Sequence, residues 1–260
     1  IGEVQWSTNF NIAFNDNVVT DIDGQIIEGG FLNRAIEGEA IAVMFGKEYA
    51  GVDPANGDAL YYLHSPDGKD YSAGTTNSYS TANNVVIGNP NPDFIGGLNN
   101  KFNYKSFDLG VLFQFVYGND IYNGGGRYQS ANGDFFDNQT ADQLNSWQQP
   151  GDITNVPEAR LFYGNGSNPS SRYISDGSYL RLKIVTLGYA LSPELLDKLS
   201  MRSVRLYVSG TNLLTFTDYK GWDPEVNTDL YDLSDNLNIG NDFYSAPQAR
   251  TFSVGIDIGF

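Results

Sequence analysis

The chain has 260 residues, with 31 acidic against 15 basic for a formal charge of −16, and aromatics make up 14% of it. That length can bury a large core in one domain or two, and the acidic surface excludes nucleic acid, because no basic cluster offsets the repulsion. Cysteine is absent, which removes disulfides, thiolate metal sites and cysteine nucleophiles, and no apolar run is long enough for a membrane-spanning helix.

A spanning β-barrel is not excluded, because strand alternation hides its hydrophobicity from any average. The N-terminus, Ile1-Gly2-Glu3-Val4-Gln5-Trp6, has no charged or apolar leader region, so in an exported protein this chain would be a processed or internal piece. Residues 6–15 place Trp6, Phe10, Ile12 and Phe14 on one face, the period of a strand, and Asn15-Asp16-Asn17 is turn chemistry. Residues 18–40 are irregular. A second strand is expected over 41–51, with Ile41, Val43, Phe45 and Tyr49 in phase, followed by a turn at Asp53-Pro54-Ala55-Asn56-Gly57 and a polar loop to Pro92.

Phe94–Tyr104 and Phe107–Tyr117 have matched lengths around a minimal turn at Lys105-Ser106, which predicts a hairpin. In that register Phe102, Tyr104, Phe107 and Leu109 face one way, Lys101, Asn103 and Asp108 the other, and Phe113 opposes Gln114. Residues 118–178 read as a long loop rich in Gly, Asn and aromatics. The strand at 179–191 changes apolar phase between Ile184 and Val185, which predicts a β-bulge there. Ser192 and Pro193 are placed as N-cap and first residue of a short helix to Leu199. Strand 203–213, a loop over 214–248 and a terminal strand complete the chain.

The last strand has Phe252, Val254, Ile256, Ile258 and Phe260 on one face and Thr251, Ser253, Gly255, Asp257 and Gly259 on the other. Seven strands alternate between short and long connections, the pattern of an outer-membrane barrel with short periplasmic turns and long external loops. Lys105-Ser106 and 192–202 then fall inside, and 52–93, 118–178 and 214–248 fall outside. Seven strands do not close such a barrel, so the expected fold is all-β: the C-terminal strands of a larger antiparallel transmembrane barrel. A soluble β-sandwich carbohydrate-binding module is the alternative, since it shares alternation and aromatic loops.

Several segments resemble the SusC/RagA family of TonB-dependent outer-membrane transporters. They are Gly51-Val52-Asp53-Pro54-Ala55-Asn56-Gly57 with Tyr61-Tyr62, Gly88-Asn89-Pro90-Asn91-Pro92, Tyr117-Gly118-Asn119-Asp120-Ile121-Tyr122-Asn123, Ser178-Tyr179-Leu180-Arg181-Leu182-Lys183, Gly210-Thr211-Asn212-Leu213-Leu214-Thr215-Phe216 and Gly221-Trp222-Asp223-Pro224-Glu225. The resemblance implies a barrel around an N-terminal plug, importing glycans or peptides with energy from TonB, and no enzyme activity. It also implies a SusD-like surface lipoprotein as lid, and an outer membrane of a Gram-negative bacterium of the Bacteroidetes. Plug and TonB contact would belong to sequence upstream of this chain. It further implies that the barrel-assembly machinery reads the aromatic-ended terminal strand, with Phe252 and Phe260 as the signal.

No cofactor or metal is expected. His64 is the only histidine, which rules out a His-centred triad, and a solvated loop residue is the expected reading. Asp229, Asp232 and Asp235 read as solvated loop acids rather than a glycosidase pair or a calcium loop. Gly124-Gly125-Gly126 lacks the Lys-Ser/Thr of a phosphate loop and is expected to be non-helical. Tyr122, Tyr128, Trp147, Tyr219 and Trp222 lie in the external loops, where rings can stack on a sugar or side chain, or pack the loops and lid. Trp6, Phe10, Phe113 and Phe252 are expected to face lipid.

Overall fold

The computed structural model describes residues 3–65, 70–228 and 237–260. Six long strands form one antiparallel sheet in chain order: β1 (Val4–Ala13), β2 (Phe94–Tyr104), β3 (Phe107–Tyr117), β4 (Tyr179–Ala190), β5 (Ser203–Thr217) and β6 (Thr251–Gly259). Alternation carried in each strand becomes continuous across the sheet. Trp6, Phe102, Leu109, Leu187, Val208 and Val254 are successive cross-strand partners. One residue along, Ser7, Lys101, Gly110, Thr186, Ser209 and Ser253 form the neighbouring row. Adjacent residues of a strand point to opposite faces, so the sheet has one apolar and one polar or minimal side. Trp6 and Val254 are 64% and 85% exposed on the apolar side. No second sheet covers it among the described residues, so the β-sandwich reading falls.

The hairpin has the expected register: Tyr104 pairs with Phe107, Phe102 with Leu109 and Asn103 with Asp108, while Phe113 opposes Leu98 and Gln114 opposes Gly97. Lys105 adopts φ 53°, the left-handed conformation that a two-residue hairpin turn requires. The expected wall strand over 41–51 is not there. Val43–Gly46 joins a four-stranded sheet with Ile27–Glu28, Asn33–Ala35 and Val85–Gly88, whereas Tyr49–Val52 pairs in another small sheet with Ala59–Tyr62. Its alternation serves a loop core: Met44 is fully buried with Leu32, Tyr122 and Tyr173. The wall therefore has six strands, and 14–93 is one long connection.

The bulge lies one residue before its expected place. Phe113 pairs with Leu182 and Leu112 with Ile184, which leaves Lys183 unpaired. On the other side Leu182 meets Leu214 and Ile184 meets Thr211, with Asn212 between them at φ 55°. Ile184 and Val185 are both apolar, so the sequence phase could not say which residue was extra.

Short connections, 105–106 and 191–202, leave one end of the sheet; the long ones, 14–93, 118–178 and 218–250, leave the other. The second short one holds helix α2 (Pro193–Leu199), preceded by Ser192 as expected, although the Ser192 side chain makes no cap bond. A helix α1 (Gly124–Gln129) stands where the glycine triplet was expected to be non-helical. Asn123 Oδ1 accepts from the Gly126 amide at 2.6 Å, and this cap offsets part of the glycine cost. The close packing also favours glycine: a β-carbon on Gly125 would lie 3.0 Å from the Tyr244 amide.

His64 is not a solvated loop residue. Its side chain is wholly buried, with Nε2 2.9 Å from Glu48 Oε2 and the Tyr71 ring 4.9 Å away. It sits beside the Tyr62 and Tyr71 rings, 6.0 and 4.9 Å away. Asp229, Asp232 and Asp235 lie outside the described residues.

Candidate functional site

The three long connections fold together at their end of the sheet. Tyr122 and Asn123, on a strand over Asp120–Asn123, pair in parallel with Asn241 and Asp242. Asn241 Nδ2 in turn donates to Asn33 Oδ1 at 2.6 Å, so all three connections meet at one buried point. The 51–57 turn receives Trp147, whose Nε1 donates to the Pro54 carbonyl at 3.1 Å. Gly57, at φ 77°, lies so close to the indole that a β-carbon would approach it to 2.6 Å.

Arg181 and Lys183 tie the wall to the last long connection. Arg181 is 1% exposed and pairs with Asp223, and its Nη1 lies 3.2 Å from Glu225. Lys183, the bulged residue, reaches Glu225 at 2.8 Å. Burial pushes the Asp223 carboxyl up, but the Arg181 guanidinium and the amides of Glu225 and Gln248 outweigh it and hold the group below its ordinary value. Lower on the same face Arg205 bridges β3 and β6, donating to Asp108 at 2.8 and 2.6 Å and to Asp257 at 3.2 Å. The bridge passes over Gly188 on β4, where a β-carbon would collide with both side chains.

The three long connections frame a cavity of about 900 Å³, lined in part by Tyr49, Asn123, Arg172, Lys220, Trp222 and Tyr244. Trp222 is 66% exposed and offers a ring face at its edge. Tyr244 donates to Asp137 at 2.8 Å, and burial together with that bond pushes its hydroxyl up to about 12, so it stays a neutral donor. Arg172 is held in place by the Gly166 carbonyl at 2.9 Å and by Asn132 Oδ1 at 3.2 Å. Such a site can hold a polar solute by stacking and hydrogen bonds. Among the described residues no group of three acidic or histidine side chains could hold a metal.

The five loop aromatics named from sequence separate into different settings. Tyr122 is buried in the loop core, and Trp147 is buried against the 51–57 turn. Tyr219 is buried and donates to Asp242 at 2.7 Å; burial and this bond raise its hydroxyl. The Tyr128 ring lies 4.7 Å from that of Phe135 at a tilt of 48°, with Arg127 over its ring. Trp222 alone of the five lines the cavity. Tyr49 reads from sequence only as a strand residue, and Arg172, Lys220 and Tyr244 carry no pattern that marks a site, although Lys220 stands beside Gly221-Trp222. Phe252 lies on the apolar face of β6, and Phe260 follows the strand, 81% exposed.

No family model matches the chain. It is 40% identical, over 98% of its length, to the TonB-dependent receptor P3 of Formosa agariphila, of which it covers 27%. It is 24% identical to the TonB-dependent receptor SusC of Bacteroides thetaiotaomicron, again over 98% of its length and 24% of that protein. The whole chain superposes on 28% of a chain in the RagAB peptide importer in its closed-closed state, with a TM-score of 0.81 at 24% identity. It spans about a quarter of the length of these curated relatives.

Proposed function

Because this chain belongs to the SusC/RagA family of TonB-dependent receptors, we propose that it forms barrel wall and external loops for energy-driven import across a Gram-negative outer membrane. The observation that carries the reading is the unbroken apolar row from Trp6 to Val254, exposed on a sheet whose other face is polar. Hydrocarbon is the surrounding that accepts such a face, with backbone groups satisfied between strands. The long connections then stand on the cell surface, and their cavity takes up the ligand, an oligosaccharide or a peptide. SusC and the RagAB importer motivate a SusD-like lipoprotein as lid over these loops, and TonB as the energy source acting through a plug in the whole receptor.

Within this reading Trp222 and Tyr244 touch the ligand, while Tyr122, Trp147 and Tyr219 hold the loops. In the full receptor, Trp222→Ala should weaken ligand capture by roughly two- to tenfold, the equivalent of about 0.5–1.5 kcal/mol for a lost ring contact. Normal receptor levels should accompany the loss. Uptake at the unaltered rate in energised cells would remove Trp222 from the site.

A further inference from the structure

The formal charge of −16 lies on the three long connections, since the wall strands and short turns together hold more basic than acidic residues. Where basic residues are anchored, acids meet them: Arg160, Arg181, Lys183 and Arg205 each pair with a carboxylate. Arg172 and Lys220 differ. Both line the cavity, and among the described residues neither is in an ion pair. Lys220 is exposed, and its ammonium makes no hydrogen bond among the described residues, so its three donors are open to a ligand. Arg172 uses Nη1 on the Gly166 carbonyl and the Tyr173 hydroxyl, and one hydrogen of Nη2 on Asn132. Its Nε and the second hydrogen of Nη2 are left over.

The cavity also has two carboxylates, and both face donors of the protein itself. Asp242 accepts from the Tyr219 hydroxyl at 2.7 Å and the Ser245 amide at 3.2 Å. Asp142 accepts from Thr140, from Ser130 at 3.3 Å and from Gln143 at 3.2 Å. The lining acids are therefore occupied and the lining cations are not. Acids farther than about 8 Å away are largely screened at physiological ionic strength, so the contacts in the lining decide the preference. Trp222, two residues from Lys220, offers its ring, and Gln129, Ser130, Thr140, Ser171 and Ser175 add amide and hydroxyl groups to the lining. A ring face among such groups suits a sugar, and charged N–H donors suit ionised oxygens, with which they bond about twice as strongly as with neutral ones.

We propose that the cavity takes an acidic saccharide, whose carboxylate or sulfate groups meet Arg172 and Lys220 while a sugar ring lies against Trp222. This rests on the cavity reading above and adds the charge of the ligand. The test uses the purified full receptor on an array of acidic oligosaccharides, each beside its neutral form: uronates beside their methyl esters, sulfate esters beside their desulfated forms. Neutral glycans and mixed peptides complete the array. Binding should favour acidic members, weaken with salt, and show by its arm whether carboxylate or sulfate is read. Lys220 has no partner to lose, so Lys220→Gln should leave receptor levels unchanged. It should weaken binding of acidic members by roughly tenfold or more, the equivalent of one hydrogen bond to a charged group, and Lys220→Arg should restore most of it. Neutral saccharides or peptides bound as well as any acidic member, no acidic member bound at all, or Lys220→Gln binding acidic members like the unaltered receptor would each overturn the proposal. In those cases a loss of the observed binding in Trp222→Ala leaves the cavity reading standing, and no loss removes both.

Discussion

Arg181 lies enclosed between the wall and a long connection, and among the described residues its charge is balanced by Asp223 and Glu225. Removing one partner of a buried pair leaves the others uncompensated, which costs about 3–5 kcal/mol. Arg181→Met should therefore release the 218–250 connection while the wall persists, seen as rapid protease cleavage within that connection in an otherwise intact receptor. Protection equal to the unaltered receptor would show that the pair is not the anchor. The pH dependence has a defined sign. The folded Asp223 carboxyl titrates below its ordinary 3.8, so pairing stabilises fully above that value and is lost as pH falls through the lowered one. Protection should hold at pH 5 and decay only in stronger acid. Both halves of this anchor were visible in the sequence as separate motifs, around Leu180-Arg181-Leu182-Lys183 and Gly221-Trp222-Asp223-Pro224-Glu225. Their contact was not, because 42 residues and a bulge separate Arg181 from Asp223. His64 failed in the opposite way: a single histidine has no pattern from which burial against Glu48 could be read.

At the level of elements, period-two alternation located β2, β3, β4 and β6 because each strand's apolar face has one continuous surrounding. It misled at 41–51, where the same period belongs to short strands enclosed by loop residues such as Leu32 and Ile87. Alternation reports a two-sided environment, and cannot say whether lipid or a small core lies on the apolar side. The aromatics of the long connections show the same limit: composition marked the loops as special, but only three-dimensional packing separates Trp147 inside from Trp222 outside. The two faces of β6 can be separated directly, since Val254 and Ser253 are neighbours in sequence and pair with Val208 and Ser209. Val254→Arg should destabilise the folded receptor by about 2–4 kcal/mol, the cost of a cation near the bilayer midplane. Ser253→Arg, on the polar face, should cost far less. Denaturant titration in lipid vesicles reads the difference, and equal losses would place both residues in one environment.

For the molecule as a whole, β1 and β6 are the two margins of the described sheet, each with one edge unpaired. Unpaired backbone groups in hydrocarbon cost several kcal/mol each, so a lipid-embedded sheet must find partners at both margins. The terminal residues bear on how that closure is reached. If Phe260 is read by the assembly machinery, Phe260→Ala should lower folded receptor in the outer membrane much more than Phe113→Ala, which removes an equal ring from the wall. Equal losses would leave Phe260 as ordinary apolar surface, worth about 2–3 kcal/mol of burial at most.

The central claim is that this sheet crosses the outer membrane with its long connections on the cell surface and its short ones within. The chain contains no cysteine, so single introduced thiols can report its sides in a receptor otherwise free of them. Ser80→Cys lies in a long connection and Lys198→Cys on α2 in a short one, both at exposed positions. A membrane-impermeant maleimide added to intact cells should label position 80 at once and position 198 only after the outer membrane is breached. Labelling of position 198 in intact cells, with position 80 protected, would contradict the account.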